Sequence, residues 1–104
     1  PADAKGLLLS SIFDPNPVIF LEHRWLHQSV GDVLPGDVRV PIGQAKVVRG
    51  GTDLTIVSAS YLTVEALQAA KALADTLDML AKNNEKVIFY KNIAVVFANE
   101  AGQS

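Results

Sequence analysis

Leu7, Leu8 and Ile12, with Ala4, fall at i, i+3, i+4 spacing near the start of the chain. That spacing predicts a short helix over residues 2–13, with Asp3 in its first turn, where a carboxylate suits the positive end of the helix dipole. The helix must stop near Phe13. Asp14 precedes Pro15 and Asn16 precedes Pro17, and a residue before proline is pushed out of the helical region. Val18-Ile19-Phe20-Leu21 follows as an unbroken apolar run. Its β-branched pair and the prolines in front predict a strand buried on both faces. Glu22 to His27 is polar and aromatic. Residues 28–44 carry Gly31, Pro35, Gly36, Pro41 and Gly43 and read as an extended linker, the best boundary in the chain. Within it, Val38-Arg39-Val40 is a candidate short edge strand. Gly-Asp-Val occurs at 31–33 and 36–38, too short a unit to be a repeat architecture.

Ala45–Arg49 and Leu54–Ala59 read as two strands joined by Gly50-Gly51-Thr52-Asp53, the composition of a tight hairpin loop. Leu62 to Lys82 carries Leu62, Ala66, Ala70, Leu73, Leu77 and Leu80 at helical spacing, an amphipathic helix that Thr63 can cap and Asn83-Asn84 can end. Val87–Tyr90 and Ile93–Ala98 are two further apolar strands, and the tail Asn99–Ser104 is expected to fray. Strand–helix–strand order with buried apolar strands predicts an α/β fold with a mixed, partly parallel sheet.

Composition narrows the function classes. The 104 residues allow one domain near the small end of the usual range. A hydrophobic content of 49% is too high for a disordered chain. Nine Lys plus Arg against 11 Asp plus Glu leave a net charge of −2, which gives no electrostatic case for nucleic acid or an anionic membrane as a partner. No apolar run is long enough to span a bilayer, and no basic segment precedes an apolar stretch as in a signal peptide. With no cysteine, disulfides, thiolate catalysis and thiolate zinc sites are excluded. This fits a reducing compartment, and the expected location is cytoplasmic. The first residue, Pro1, suggests a processed or trimmed chain, or a fragment.

Candidate chemistry is sparse. The Gly-rich nucleotide-binding and nucleophile-elbow signatures are absent. His23 and His27 are four apart, so on a helix they could share a metal, but no third ligand stands at a recognised spacing. Glu22, at the end of the predicted strand, is either an acid–base group or a salt-bridge partner of Arg24 or another base. Ser58, Ser60 and Tyr61 precede the long helix, whose free N–H groups either bind an anion or are simply capped. The Gly50-Gly51 loop reads as a turn. The turn Ser11-Ile12-Phe13-Asp14-Pro15-Asn16-Pro17 is more pointed. A helix C-terminus leaves carbonyls unpaired, and two prolines supply no donors, so converging oxygens could hold an alkali cation. The alternative is an ordinary proline-stopped helix.

KGLLLSSIFDPNPVIFLEHRWLH (5–27) and VPIGQAKVVRGGTDLTIVSASYLTVEALQAAKALA (40–74) together resemble one family. It is the beta subunit of the thiamine-diphosphate-dependent first component of 2-oxo acid dehydrogenase complexes, of branched-chain and pyruvate type, among the transketolase-like proteins. The likeness covers about residues 3–74, through K-G-L-L, D-x-N-P, the strand-end Glu and A-x-V-x-x-G-T-D-x-T-I-V in order. It implies that residues 1–27 are the helix–strand tail of a pyrimidine-binding-type domain and 28–44 a linker. Residues 45–104 would be a transketolase C-terminal-like α/β domain, truncated or divergent after about 74. It implies a potassium ion held at the S-x-x-D-x-N turn, here Ser11, Asp14 and Asn16. It also implies partners: a second copy, a dehydrogenase alpha-type subunit and the lipoyl acyltransferase core. The family's cofactor-activating glutamate, its active-site histidine loop and its partner's diphosphate motif have no counterpart in the sequence. The expected reading is a partial beta-subunit-like chain with no catalytic or cofactor-binding residue of its own. It would be inactive alone and would not bind the family's thiamine diphosphate and magnesium. The other expectation is a non-catalytic dimerisation or interaction module of the same fold.

Overall fold

The computed structural model describes residues 1–82 and 93–97. Its elements are α1 (Ala2–Ile12), a short 3-10 turn (Arg24–Gln28), β1 (Lys46–Arg49), β2 (Leu54–Ser58), α2 (Leu62–Lys82) and β3 (Ile93–Phe97). Pro1–Gln44 belong to one compact unit, and Ala45 opens a second that contains all three strands.

In the first unit, α1 forms where the apolar spacing predicts it and ends one residue earlier, at Ile12. Gly6 is its buried residue, because the chain around Val40 lies directly against it. A Cβ built at Gly6 would sit 2.5 Å from Val40 Cγ2 and 2.9 Å from the Val40 nitrogen, distances no real Cβ tolerates. Only glycine permits this approach. The contact is tied by three hydrogen bonds. The Val40 N–H donates to the Gly6 carbonyl (3.1 Å), Ser10 Oγ donates to the Val40 carbonyl (2.6 Å), and Lys5 Nζ donates to the Leu34 carbonyl (2.6 Å). Residues 28–44 therefore lack regular structure beyond the 3-10 turn yet are bound to α1. Val38–Val40 is not an edge strand, because both polar groups of Val40 go to the helix.

Val18–Leu21 is not a strand either. Its apolar pattern suits one, but the described residues of this unit contain no strand for it to pair with, and a ladder needs two. The Glu22–His27 segment becomes the 3-10 turn, with His23 at its N-cap.

The second unit is a three-stranded sheet in the order β1-β3-β2. β1 runs antiparallel to β3, with Lys46 opposite Phe97 and Val47 opposite Val96 and an irregularity between Val47 and Arg49. β2 runs parallel to β3, from Leu54 opposite Ile93 to Ser58 opposite Phe97. The predicted mixed, partly parallel sheet is present, but the predicted β1–β2 hairpin is not. β3 lies between those two strands, so residues 50–53 bridge over it. The physical reason is burial: Val95 of β3 is fully buried, and the most apolar strand takes the position flanked on both sides.

The long helix packs on β2 and β3. Ala70 and Val95 are fully buried, and Val48, Ile56, Ala66, Leu67 and Leu73 pack against them; Leu77 of the same helix is also buried. The buried stripe of α2 begins at Thr63, not at Leu62, which is 66% exposed. Thr63 tolerates burial because its hydroxyl accepts from Ser58 Oγ at 3.1 Å. Thr63 is thus a residue of the first turn, not the cap expected from sequence. The expected helix stop at Asn83-Asn84, the strand Val87–Tyr90, Ala98 and the tail lie outside the described residues.

Two substitutions on α2 check this placement. Ala70→Leu overfills a site with no spare volume and should cost about 1–3 kcal/mol in urea unfolding. Leu62→Ser should change stability by less than about 0.5 kcal/mol. Equal costs at both positions would mean the helix is rotated from the orientation described.

Candidate functional site

The C-terminal end of α1 is where the sequence places the best candidate chemistry. Phe13 caps the helix with its N–H on the Leu9 carbonyl (3.1 Å). Ser11 Oγ turns back along the helix and donates to the Leu7 carbonyl at 2.8 Å. Asp14 Oδ1 accepts from the Asn16 backbone N–H at 2.8 Å and from Asn16 Nδ2 at 3.1 Å, an Asx turn that reverses the chain just after the helix. Ser11, Asp14 and Asn16 thus sit on one short turn, but their side chains are engaged locally instead of converging on one point. What the turn offers is main chain. Among the described residues no backbone N–H donates to the carbonyls of Ser10, Ser11 or Ile12. These oxygens carry the negative end of the helix dipole, and Pro15 and Pro17 contribute no competing donor. Such a set of carbonyl oxygens is chemistry for a hard, weakly hydrated cation.

Beside this turn stands an arrangement the sequence reading missed. The Arg39 guanidinium lies 4.0 Å over the Phe13 ring while its fork holds Asp37, Nε to Oδ1 at 2.8 Å and Nη2 to Oδ2 at 2.7 Å. The pairing fixes the side chain of a linker residue on the helix C-cap. The hydrogen bond from Arg39 holds the Asp37 carboxyl below its usual range, and the same bond raises Arg39. The only signal in the sequence was an Asp and an Arg two residues apart.

The histidine pair does not form a metal site. His23 Nδ1 accepts the Trp25 N–H at 3.3 Å and its ring meets Trp25 edge-on at 5.4 Å. His27 Nε2 contacts Glu22 Oε2 at 3.2 Å, both side chains being exposed. The segment is a 3-10 turn that starts after His23, so the α-helical face the pair would have shared does not exist. Glu22 is a hydrogen-bond partner of His27 and not of Arg24. Among the described residues no cluster of three His, Cys, Asp or Glu side chains could hold a metal.

The start of α2 is likewise filled. Thr63 N–H donates to the Ser60 carbonyl (3.2 Å), and Val64 and Glu65 N–H groups reach the Tyr61 carbonyl (2.9 and 3.4 Å). Glu65 adds a negative charge in the first turn, and its hydrogen bond raises the Tyr61 hydroxyl above its usual range. An anion would meet occupied donors and a carboxylate there, so capping accounts for Ser58, Ser60 and Tyr61. An open cleft of about 200 Å³ between the start of α1 and Val33, Leu34, Val38 and Val40 is mostly apolar. Lys5, its cation, is already committed to the Leu34 carbonyl.

The Asp37–Arg39 pair gives a pH prediction. Because the folded carboxyl is depressed, its contribution is complete above about pH 4, the unfolded value, and is lost as pH falls through the folded value. Carboxyl carbon NMR should show Asp37 titrating below the usual aspartate range, and Arg39→Gln should return it to that range. An unshifted Asp37 in the parent chain would remove the pair.

No family model matches the chain. Curated relatives do. It is 55% identical over 58 residues to 2-oxoisovalerate dehydrogenase subunit beta 2, mitochondrial, of Arabidopsis thaliana, which covers 55% of this chain and 16% of that protein. It is 45% identical over 74 residues to the beta subunit of acetoin:2,6-dichlorophenolindophenol oxidoreductase of Cupriavidus necator, 71% of this chain and 22% of that one. It is also 45% identical over 74 residues to pyruvate dehydrogenase E1 component subunit beta of Bacillus subtilis, 70% of this chain and 23% of that one. The chain spans about a fifth of the length of these relatives. Over that shared stretch it is similar to the beta subunits of the first component of 2-oxo acid dehydrogenase complexes, the family its motifs at 5–27 and 40–74 resemble.

Proposed function

We propose that this chain is a partial, beta-subunit-like protein of the 2-oxo acid dehydrogenase first component. The parent reaction is oxidative decarboxylation of a 2-oxo acid with acyl transfer to a lipoyl group, in a family that uses thiamine diphosphate and magnesium. The observation that carries the reading is 55% identity to a 2-oxoisovalerate dehydrogenase beta subunit over 58 residues. In this reading residues 1–27 are the tail of a pyrimidine-binding-type domain, 28–44 the linker, and 45–104 a transketolase C-terminal-like domain. The chain contributes scaffold and no reacting group. The family's cofactor-activating glutamate has no counterpart here, and Glu22, the nearest candidate, is an exposed partner of His27.

The turn at Ser11, Asp14 and Asn16 supplies main-chain oxygens to a potassium ion in this reading. The support is the set of donor-free carbonyls at Ser10, Ser11 and Ile12. Partners are a dehydrogenase alpha-type subunit or a second copy, with the lipoyl acyltransferase core beyond. No described helix is long and apolar enough to cross a membrane, and the cysteine-free sequence supports a cytoplasmic assignment, although the plant relative is named as mitochondrial. The second reading, a non-catalytic interaction module, is favoured by one observation: Ile19 and Leu21 are left almost fully exposed.

Native mass spectrometry of the chain with thiamine diphosphate and Mg²⁺ tests the proposal. We expect no cofactor adduct at micromolar concentration and no decarboxylation of branched 2-oxo acids or pyruvate. Tight binding, or turnover by the chain alone, would falsify it. Replacing NaCl by KCl at constant ionic strength should raise the melting temperature of the chain, and identical melts in the two salts would remove the cation from the turn.

A further inference from the structure

A helix C-terminus favours positive charge, and an arginine close to it ordinarily donates to the last carbonyls. The last turn of α1 has no basic residue of its own. An arginine does stand there, brought from the linker. The Val40 N–H donates to the Gly6 carbonyl (3.1 Å) and the Val40 carbonyl accepts from Ser10 Oγ (2.6 Å), so the backbone of the adjacent Arg39 is held against the helix. Its guanidinium reaches the helix end and lies 4.0 Å over the ring of Phe13, the C-cap residue.

Yet this arginine does not cap the helix. Its Nε and Nη2 both donate to Asp37, at 2.8 and 2.7 Å. Among the described residues neither Arg39 nor any other side chain donates to the carbonyls of Ser10, Ser11 or Ile12. A bidentate carboxylate is a strong partner for a guanidinium fork and fixes its plane. Here it does so on the Phe13 face, and it cancels the arginine's charge beside the helix end. The dipole of α1 and its open carbonyls are therefore left uncompensated by the one guanidinium placed to compensate them.

We propose that Asp37 is a positioning residue that withholds Arg39 from the end of α1 and so keeps the Ser10, Ser11 and Ile12 carbonyls open to a monovalent cation. Arg39 and the cation are alternative occupants of one helix end, and the carboxylate of Asp37 decides between them. This inference rests on the cation reading of the turn given above and names the pair that regulates it.

The test uses four forms of the full chain: the parent, Asp37→Ala, Arg39→Gln and the double variant. Both side chains are partly exposed, and circular dichroism should show all four forms folded. KCl is titrated against choline chloride at constant ionic strength. The readouts are the backbone carbonyl carbon NMR shifts of Ser10, Ser11 and Ile12 and the melting temperature. The parent and Arg39→Gln should respond with similar half-saturation. Asp37→Ala should show these three carbonyls shifted before any KCl is added. It should then need at least about tenfold more KCl, the effect of one competing charge-assisted hydrogen bond. The double variant should return to within about threefold of the parent, because no guanidinium is left to compete. Equal responses of the parent and Asp37→Ala would overturn this proposal and leave the cation reading standing. A double variant as insensitive as Asp37→Ala would also overturn it, since the loss would then belong to the missing carboxylate itself. No response in the parent would overturn both.

Discussion

Backbone N–H and C=O groups that leave water must find partners, and among the described residues there is more strand-forming sequence than there are places in a ladder. That shortage governs where each apolar run goes. β3 takes the centre of the three-stranded sheet and is paired on both sides. The segment around Val40 gives its N–H and its carbonyl to α1, through the Gly6 carbonyl and Ser10 Oγ. Val18–Leu21 finds nothing among the described residues. Hydrophobicity alone does not sort these three segments, since Val-Ile-Phe-Leu is as apolar as Ile-Ala-Val-Val-Phe. The distinction is the supply of neighbours.

This explains what could be read from the sequence and what could not. α1 and α2 satisfy their backbone bonds internally, so their limits follow from local spacing and local signals, and the end of α1 at Ile12 and the start of α2 at Leu62 fall within one residue of expectation. β1, β2 and β3 were also recognisable as strands, because β-branched runs between turn residues have few other uses. Their order was not. Gly50-Gly51-Thr52-Asp53 has the composition of a hairpin, but pairing is decided by the burial of Val95, a contact made with residues far away in sequence. The same limit produced the error at Leu62. Its periodicity fits the stripe as well as that of Thr63 does, and only the Ser58 hydroxyl, brought near by the end of β2, makes the threonine the buried one.

The candidate chemistry divides along a similar line. A residue type at a suggestive spacing is a site only if its polar atoms are left available. At the 3-10 turn and at the start of α2, short-range partners consume them: His23 on Trp25, Glu22 on His27, Ser58 on Thr63. The turn after α1 differs in kind. There the side chains of Ser11, Asp14 and Asn16 are consumed too, but what they shape is a helix end whose carbonyls are not. Main-chain chemistry of this sort is nearly invisible to a search for ligand side chains. It shows in the sequence only as a proline pair placed where a capping donor would otherwise be.

Gly6 shows a constraint that carries no chemistry of its own. Nothing reactive stands near it, yet an alanine there would collide with the Val40 side chain and backbone. Losing the contact would leave the Val40 N–H and carbonyl without the Gly6 carbonyl and Ser10 hydroxyl as partners. A single glycine that lets a linker lie on a helix is such a constraint, and it acts whether or not a reacting group is within reach.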